Sequence, residues 1–217
     1  MINEDDMEII KVIIIGASGV GKTSILWQYI NKQFNDSFHT TIGCSFYEYI
    51  YKCDDKKIVK LEIWDTAGQE RFRSLTTRFF QNSQFVILVY DISSEDSFKD
   101  IKEFWYPQAK EKAKADAILA LVGNKEDLLE DENFQEQVNE DTARSYAIQI
   151  EAMYFKTSSK SREKVEGLFD QLVKKYTGAK VLEHIRNNQE TQDDENKNKN
   201  NKLSKKDIKN GKKRKCC

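Results

Sequence analysis

The chain of 217 residues lacks several features that would assign it to other classes. Its four cysteines, Cys44, Cys53, Cys216 and Cys217, form neither a paired framework nor a metal-ligand spacing. That argues against a disulfide-stapled secreted domain and for a reducing compartment. No apolar run approaches the ~20 residues that a membrane-spanning helix needs. The opening Met1-Ile-Asn-Glu-Asp-Asp does not read as a signal peptide. Ile2 stands where N-myristoylation would need glycine. Acidic residues are nearly missing from Lys197 to Lys215, where Asp207 stands alone among Lys, Arg and Asn. Since the whole chain carries a net charge of −1, the rest must be clearly acidic. A body of that sign does not suit nucleic acid, so no nucleic-acid partner is expected.

What the chain does have is Gly16-Ala-Ser-Gly-Val-Gly-Lys-Thr23. Before it, Ile9-Ile-Lys-Val-Ile-Ile-Ile15 is β-branched and almost wholly apolar, as a buried parallel strand should be. After it, Ser24 to Ile30 lacks Gly and Pro and suits a helix. A strand-to-helix turn is the context that the phosphate-loop pattern G-x-x-x-x-G-K-[ST] requires. Gly16, Gly19 and Gly21 let the backbone turn tightly, so that successive N–H groups and the helix N-terminus face an anion. Lys22 adds a compact cation for the outer phosphates, and the Thr23 hydroxyl can ligate Mg²⁺.

The remaining order supports an α/β fold. A polar, mobile loop is expected from Asn31 to Ile42, then a hairpin of Ser45–Lys52 and Lys57–Trp64 around Cys53-Asp-Asp55. Alternation places Val59, Leu61 and Ile63 in the core and Lys60, Glu62 and Trp64 on a solvated face. Trp64 would then be exposed among charges, which asks for a reason. Further strands are expected at Phe85–Tyr90, Ala117–Val122 and Met153–Phe155. A helix starting after Ser93-Ser94 would run to about Lys114, kinked or interrupted by the single proline, Pro107. Another is expected near Glu140–Ile148. In the last helix Val165, Leu168, Phe169, Leu172, Val173 and Tyr176 form an amphipathic stripe. Residues 1–7 read as a flexible N-terminus, 8–177 as the domain and 178–217 as a disordered basic tail, although Val181–Arg186 can prolong the helix. Strands alternating with helices imply a mostly parallel sheet covered on both faces. Each motif follows a strand, so the fold gathers them on the rim where such sheets bind ligands.

Two motifs on that rim extend the chemistry. Asp65 ends a strand and is the expected second half of a Mg²⁺ site beside a phosphate loop. Asn124-Lys125-Glu126-Asp127 supplies a carboxylate for the N1–H and exocyclic amino group of guanine, a donor pair that adenine does not offer. The Lys125 stem can cover the base, and Ser158-Ser159-Lys160 can add a backbone N–H from Ser159 to the guanine oxygen.

Gly16–Thr23, Asp65–Gly68, Asn124–Asp127 and Ser158–Lys160 together resemble the ordered motifs of Ras-like small GTPases. Ile42-Gly-Cys-Ser-Phe46, Lys60–Glu70, Arg71-Phe-Arg-Ser-Leu75 and the terminal Cys216-Cys217 resemble the Rab branch. The similarity runs from about Ile9 to Tyr176. It implies a P-loop GTPase fold, with a six-stranded, mostly parallel sheet carrying one antiparallel edge strand and helices on both faces. It implies a Mg²⁺-dependent switch that hydrolyses GTP to GDP and recruits effectors in vesicle trafficking. The nucleotide would be held by Ser18, Gly19, Val20, Gly21, Lys22, Thr23, Ser24, Phe34, Thr41, Gly68, Asn124, Lys125, Asp127, Ser158, Ser159 and Lys160. Phe34 would pack on guanine, and Gly68 would sense the γ-phosphate through its N–H. Thr23, Thr41 and Asp65 would hold Mg²⁺, Gln69 would orient the attacking water, and Lys22 would serve catalysis with it. Phe46, Trp64 and Phe79 match an aromatic triad that binds Rab effectors. Cys216 and Cys217 resemble a doubly geranylgeranylated end, which implies the cytoplasmic face of an intracellular membrane and cycling with cytosol. An exchange factor, a GTPase-activating protein and a dissociation inhibitor complete the implied partners.

The chain departs from the Rab pattern at Phe79-Phe-Gln-Asn-Ser83, where Tyr-Tyr-Arg-Gly-Ala is usual. It also departs at Cys44-Ser45 for Val-Asp, Lys156 for Glu and Ser159 for Ala. A P-loop metabolic kinase would share Gly16–Thr23 but would not need Asn124–Asp127, and would carry an arginine-rich lid not found here. A nucleotide-locked scaffold would lose Gln69 or Thr41, and both are present. A non-Rab Ras-like protein is disfavoured by Cys216-Cys217 and Ile42–Phe46.

Overall fold

A computed structural model describes residues 7–35, 41, 43–53, 58–69 and 77–180. The chain divides into two compact units, Met1–Leu172 and Val173–Cys217. In the first unit six strands form one sheet: β1 (Glu8–Ile15), β2 (Cys44–Lys52), β3 (Ile58–Thr66), β4 (Phe85–Asp91), β5 (Ile118–Asn124) and β6 (Met153–Lys156). Their spatial order is β2-β3-β1-β4-β5-β6. Only the β2–β3 pair is antiparallel, so the one antiparallel strand lies at an edge as expected.

The sequence character of each strand follows from its place. Every residue of central β4 is buried, because helices cover both of its faces. Edge strand β2 alternates half-buried and exposed residues, as one solvated face requires. In β1, Ile13 and Ile15 join a core layer with Val86, Leu88, Phe98 and Trp105, while Val12 and Ile14 point to the opposite layer. Each fully buried isoleucine here contributes roughly 1.5–3 kcal/mol relative to exposure. On that second side Tyr29 of helix α1 (Lys22–Asn31) stacks on Phe169, with ring centroids 3.8 Å apart. Phe169 belongs to α4, which covers residues 162–172 of the first unit; Val165, Leu168, Phe169 and Leu172 are buried as their spacing predicts. Residues 173–180 of the second unit are helical.

Helix α2 has three consecutive segments: α-helical Glu95–Asp100, π-helical Ile101–Trp105 and α-helical Tyr106–Lys112. Ser94 caps it, its hydroxyl accepting from the Ser97 N–H at 3.2 Å. Pro107 sits in the first turn of the third segment, directly after the π-turn. The wider π-turn directly before it absorbs the interruption, so the helix continues past the proline. Helix α3 (Glu140–Gln149) starts at Asn139, whose Oδ1 accepts from the Asp141 N–H at 2.8 Å.

Two details differ from the sequence-based expectation. Strand β3 runs to Thr66, so Asp65 lies inside the strand, paired with Ser45 of β2 and Ile14 of β1. Trp64 is half-buried and not exposed among charges. The 3₁₀ turn Thr77–Phe80 lays Phe79 on its indole, with centroids 5.0 Å apart. Several expectations fall outside the described residues: most of the Asn35–Gly43 loop, the turn residues Asp54 and Asp55, the Arg71–Leu75 stretch, and everything from Val181 to Cys217.

Candidate functional site

At the carboxyl end of β1 the chain turns through Gly16, Gly19 and Gly21 with φ of 146°, 79° and 95°. Gly21 is required on two counts. Its φ is left-handed, and a Cβ there would lie 2.2 Å from Asn124 Nδ2. Helix α1 begins at Lys22 with no acidic residue in its first turn, so its N-terminal N–H groups have no neighbouring carboxylate from that turn. The Lys22 ammonium donates to Gly16 O at 2.9 Å and Ala17 O at 2.8 Å, which leaves one of its three donors. Burial lowers its pKa to about 8, against the opposing charge of Asp65. Gly68 is pressed against this loop: a Cβ there would lie 2.4 Å from the Ala17 carbonyl and 2.5 Å from Lys22 Nζ. The main chain of Gly68 therefore reaches the phosphate-loop lysine directly, and Gln69 follows it.

Thr23, Thr41 and Asp65, from α1, a loop and β3, meet at one point. The Thr23 hydroxyl donates to Asp65 Oδ2 at 2.7 Å and lies 2.7 Å from the Thr41 hydroxyl. With its one proton given to Asp65, Thr23 must accept from Thr41. Asp65 is fully buried, and its Oδ1 has no hydrogen-bond partner. Burial raises its pKa above the usual aspartate range, while the Thr23 hydrogen bond and Lys22 pull it down. A buried carboxylate oxygen left without a partner is costly unless a cation or water completes it. Two hydroxyls and one carboxylate are hard oxygen donors that fit a magnesium ion already bound to phosphates.

The other end of the rim is built from β5, β6 and the loops after them. Asn124 is buried, and both ends of its amide are engaged within the protein. Its Nδ2 donates to Val20 O at 2.8 Å, and its Oδ1 accepts from the Ser159 N–H at 3.0 Å. It therefore ties the phosphate loop to the 158–160 turn. The Ser159 N–H, expected at the guanine oxygen, is spent on this tie. Asp127 accepts from the Ser158 hydroxyl at 2.5 Å through Oδ1 and pairs with Lys160 Nζ at 2.6 Å through Oδ2. Burial would raise the Asp127 pKa, but these two bonds outweigh it and the net direction is down. The Asp127 hydrogen bond and charge hold the Lys160 pKa up. Lys160 Nζ also lies 5.9 Å from the ring centre of Phe34, which is 40% exposed. A cavity of about 660 Å³ opens beside Asp127, Ser158 and Lys160. A second, of about 520 Å³, opens along Ala17–Val20 and Lys125.

Phe46, Trp64 and Phe79 form one aromatic run, Phe46 lying 5.0 Å from Trp64 across the β2–β3 pair. Phe46 is 46% exposed, so the run offers an apolar edge to solvent. One residue on the rim escaped sequence reasoning. Asp91, the last residue of β4, pairs with Lys125 Nζ at 2.5 Å. Its signal was its position: it ends a buried strand on the same rim as the other motifs.

Comparison with known proteins accords with this geometry. The family model described as Ras family matches residues 11–178. The chain is 37% identical over 165 residues to the GTP-binding protein ypt5 of Schizosaccharomyces pombe, covering 76% of each chain. It is 36% identical over 177 residues to the Ras-related protein SEC4 of Candida albicans, covering 82% of this chain and 81% of that one. It is 42% identical over 159 residues to the human Ras-related protein Rab-8B, covering 73% and 74%. A phosphate loop opening a helix under a six-stranded, mostly parallel sheet defines a P-loop nucleotide-binding protein. The chain belongs to the Ras family of small GTPases, on its Rab branch.

Proposed function

We propose that the rim holds a guanine nucleotide, its phosphates on Ser18–Ser24 and its base among Phe34, Lys125, Asp127 and the 158–160 turn. The observation that carries this is the convergence of Thr23, Thr41 and Asp65, with Asp65 Oδ1 unpaired, beside Lys22 at one end and Asp127 at the other. As a Rab-branch GTPase the chain converts GTP and water to GDP and phosphate and acts in vesicle trafficking. No side chain needs to form a covalent intermediate. Lys22 and the loop N–H groups offset charge on the phosphates, and Gln69 orients the attacking water. Mg²⁺, when bound, neutralises charge on the phosphate oxygens; Thr23, Thr41 and Asp65 are the residues that would hold it. Thr41 and the Gly68 N–H respond to the γ-phosphate, so hydrolysis removes what both of them contact. Among the described residues no arginine is assignable to the reaction; slow unaided turnover and a GTPase-activating protein that supplies the missing group belong to this reading. An exchange factor, a dissociation inhibitor and effectors at Phe46, Trp64 and Phe79 complete the cycle.

Competition against labelled GDP tests the site. GTP should displace it near equivalence, while ATP should need ~10⁴-fold excess or more, because a site built on buried polar pairs rejects ligands lacking them. Comparable displacement by ATP would overturn the guanine assignment.

Lipids on Cys216 and Cys217 would anchor the protein to the cytoplasmic face of an intracellular membrane, from which it cycles to cytosol. Two chains hold stably where one holds marginally, and the basic residues Lys205–Lys215 add ~1 kcal/mol each near an anionic leaflet. Changing both cysteines to serine should move the full-length protein from membrane to soluble fractions while nucleotide binding persists. Unchanged fractionation would remove the lipid anchor from this account.

A further inference from the structure

Lys125 has two unusual features. Its backbone is left-handed, with φ of 70°, a conformation that long side chains rarely adopt. Its ammonium is held by Asp91 at 2.5 Å. Asp91 is itself buried and fixed on every side. Its Oδ1 accepts from the Ser93 N–H at 2.8 Å and the Ser93 hydroxyl at 2.6 Å. Its own N–H donates to Ser97 Oγ at 3.0 Å, and that hydroxyl donates to Ser94 O at 2.7 Å in the first turn of α2. In the sheet Asp91 lies in register with Asn124, and the Ile92 N–H donates to Asn124 O at 3.2 Å. Ser93, just before α2, thus fixes one oxygen of Asp91, and the other is left to take Lys125.

From this geometry we infer that Asp91 is a positioning residue for nucleotide retention, acting through Lys125. The inference rests on the guanine-nucleotide reading above. The Lys125 stem can lie along the base only if its ammonium is parked beyond it. The Asp91 carboxylate supplies that parking point at the wall of the cavity that also borders Ala17–Val20. Pairing also serves Asp91. A bare carboxylate beside the phosphate loop would repel a polyphosphate, and the Lys125 charge cancels it. Asp91 touches no group that distinguishes guanine from adenine. It should therefore affect how long a nucleotide stays and leave specificity to Asp127.

Asp91→Asn tests this, since it keeps the size and an acceptor for Ser93 but removes the charge. GDP and GTP should both leave roughly tenfold faster, the scale of losing one charge-assisted hydrogen bond, with ATP still excluded. The decisive readout is a double-mutant cycle. In a Lys125→Met background, Asp91→Asn should change the release rate by less than about twofold, because the partner it acts through is gone. A merely structural role for Asp91 would accelerate release in both backgrounds and overturn the inference, as would unchanged release in Asp91→Asn alone. Should that variant not fold, Ser93→Ala removes one bond to Oδ1. It should speed release about threefold with Lys125 present and not with Lys125→Met; unchanged release would again overturn the inference. Wild-type protein that fails to bind guanine nucleotide at all would instead refute the functional reading itself.

Discussion

At the phosphate-loop end of the rim Asp65 is fully buried and keeps one oxygen without a partner; at the other end each oxygen of Asp127 has one. The two carboxylates shift in opposite directions for that reason. Burial dominates at Asp65 and raises its pKa, whereas the Ser158 and Lys160 bonds overcome burial at Asp127 and lower it. The consequences for the ligand-free protein are opposite as well. The raised Asp65 favours the folded state while it is protonated, and that contribution is lost as pH rises through its elevated value. The lowered Asp127 favours the folded state while ionised, and that contribution is lost as pH falls through its depressed value. The Asp65 end keeps an unpaired buried oxygen, which a cation beside phosphates would complete on the reading proposed above. At the other, each oxygen of Asp127 has one partner and keeps a further acceptor site, which the base would use on that reading. Completing Asp65 would then favour affinity at the first end, and Asp127 would set selectivity at the second.

The largest expected effect tests whether turnover belongs to the phosphate end alone. Gln69→Leu should retain GDP and GTP yet lose most of the ~10³–10⁵-fold stimulation that an activating protein supplies. Single-turnover hydrolysis with and without that protein measures it. Wild-type rates in both conditions would move water positioning to another group.

A smaller effect concerns desolvation. Lys22 has its pKa lowered to about 8 from 10.5 by burial, so its neutral form favours the folded state. Nucleotide-free protein should gain stability as pH climbs from about 8 to 10.5, and this gain should vanish as pH falls back through 8. The ceiling is about 3 kcal/mol, at ~1.4 kcal/mol per pKa unit. Denaturant midpoints for wild type and Lys22→Met across that range isolate the contribution. Parallel pH profiles would mean that Lys22 is not the strained cation of the site.

The smallest effect sharpens the base end. Ser158→Ala removes one of two holds on Asp127 and leaves Lys160. GDP release should quicken about fivefold, for roughly 1 kcal/mol, while the stimulated hydrolysis rate stays unchanged. A slower stimulated rate with unchanged release would invert the division of labour between the two ends.

Local chemistry made much of this legible in the chain itself. Gly16–Thr23 between an isoleucine-rich strand and a Pro-free helix could be little other than a phosphate loop, because backbone conformation and hydrophobic pattern agree over a short span. The burial of β1 and β4 and the stripe of α4 were equally readable, since periodicity alone decides which side chains face a core. Other features needed the fold, because they depend on side chains meeting across long stretches of chain. Asn124 reads as part of a base-binding tetrapeptide, yet it ties Val20 to Ser159, and only the packing of two loops shows that both ends of its amide bridge them. Trp64 falls on a charged strand face by alternation, but Phe79 arrives from beyond the next loop and half-buries it. Asp91 carries no motif at all. Its partnership with Lys125 exists because β4 and β5 run in register and end together, a fact of sheet pairing that no local pattern encodes.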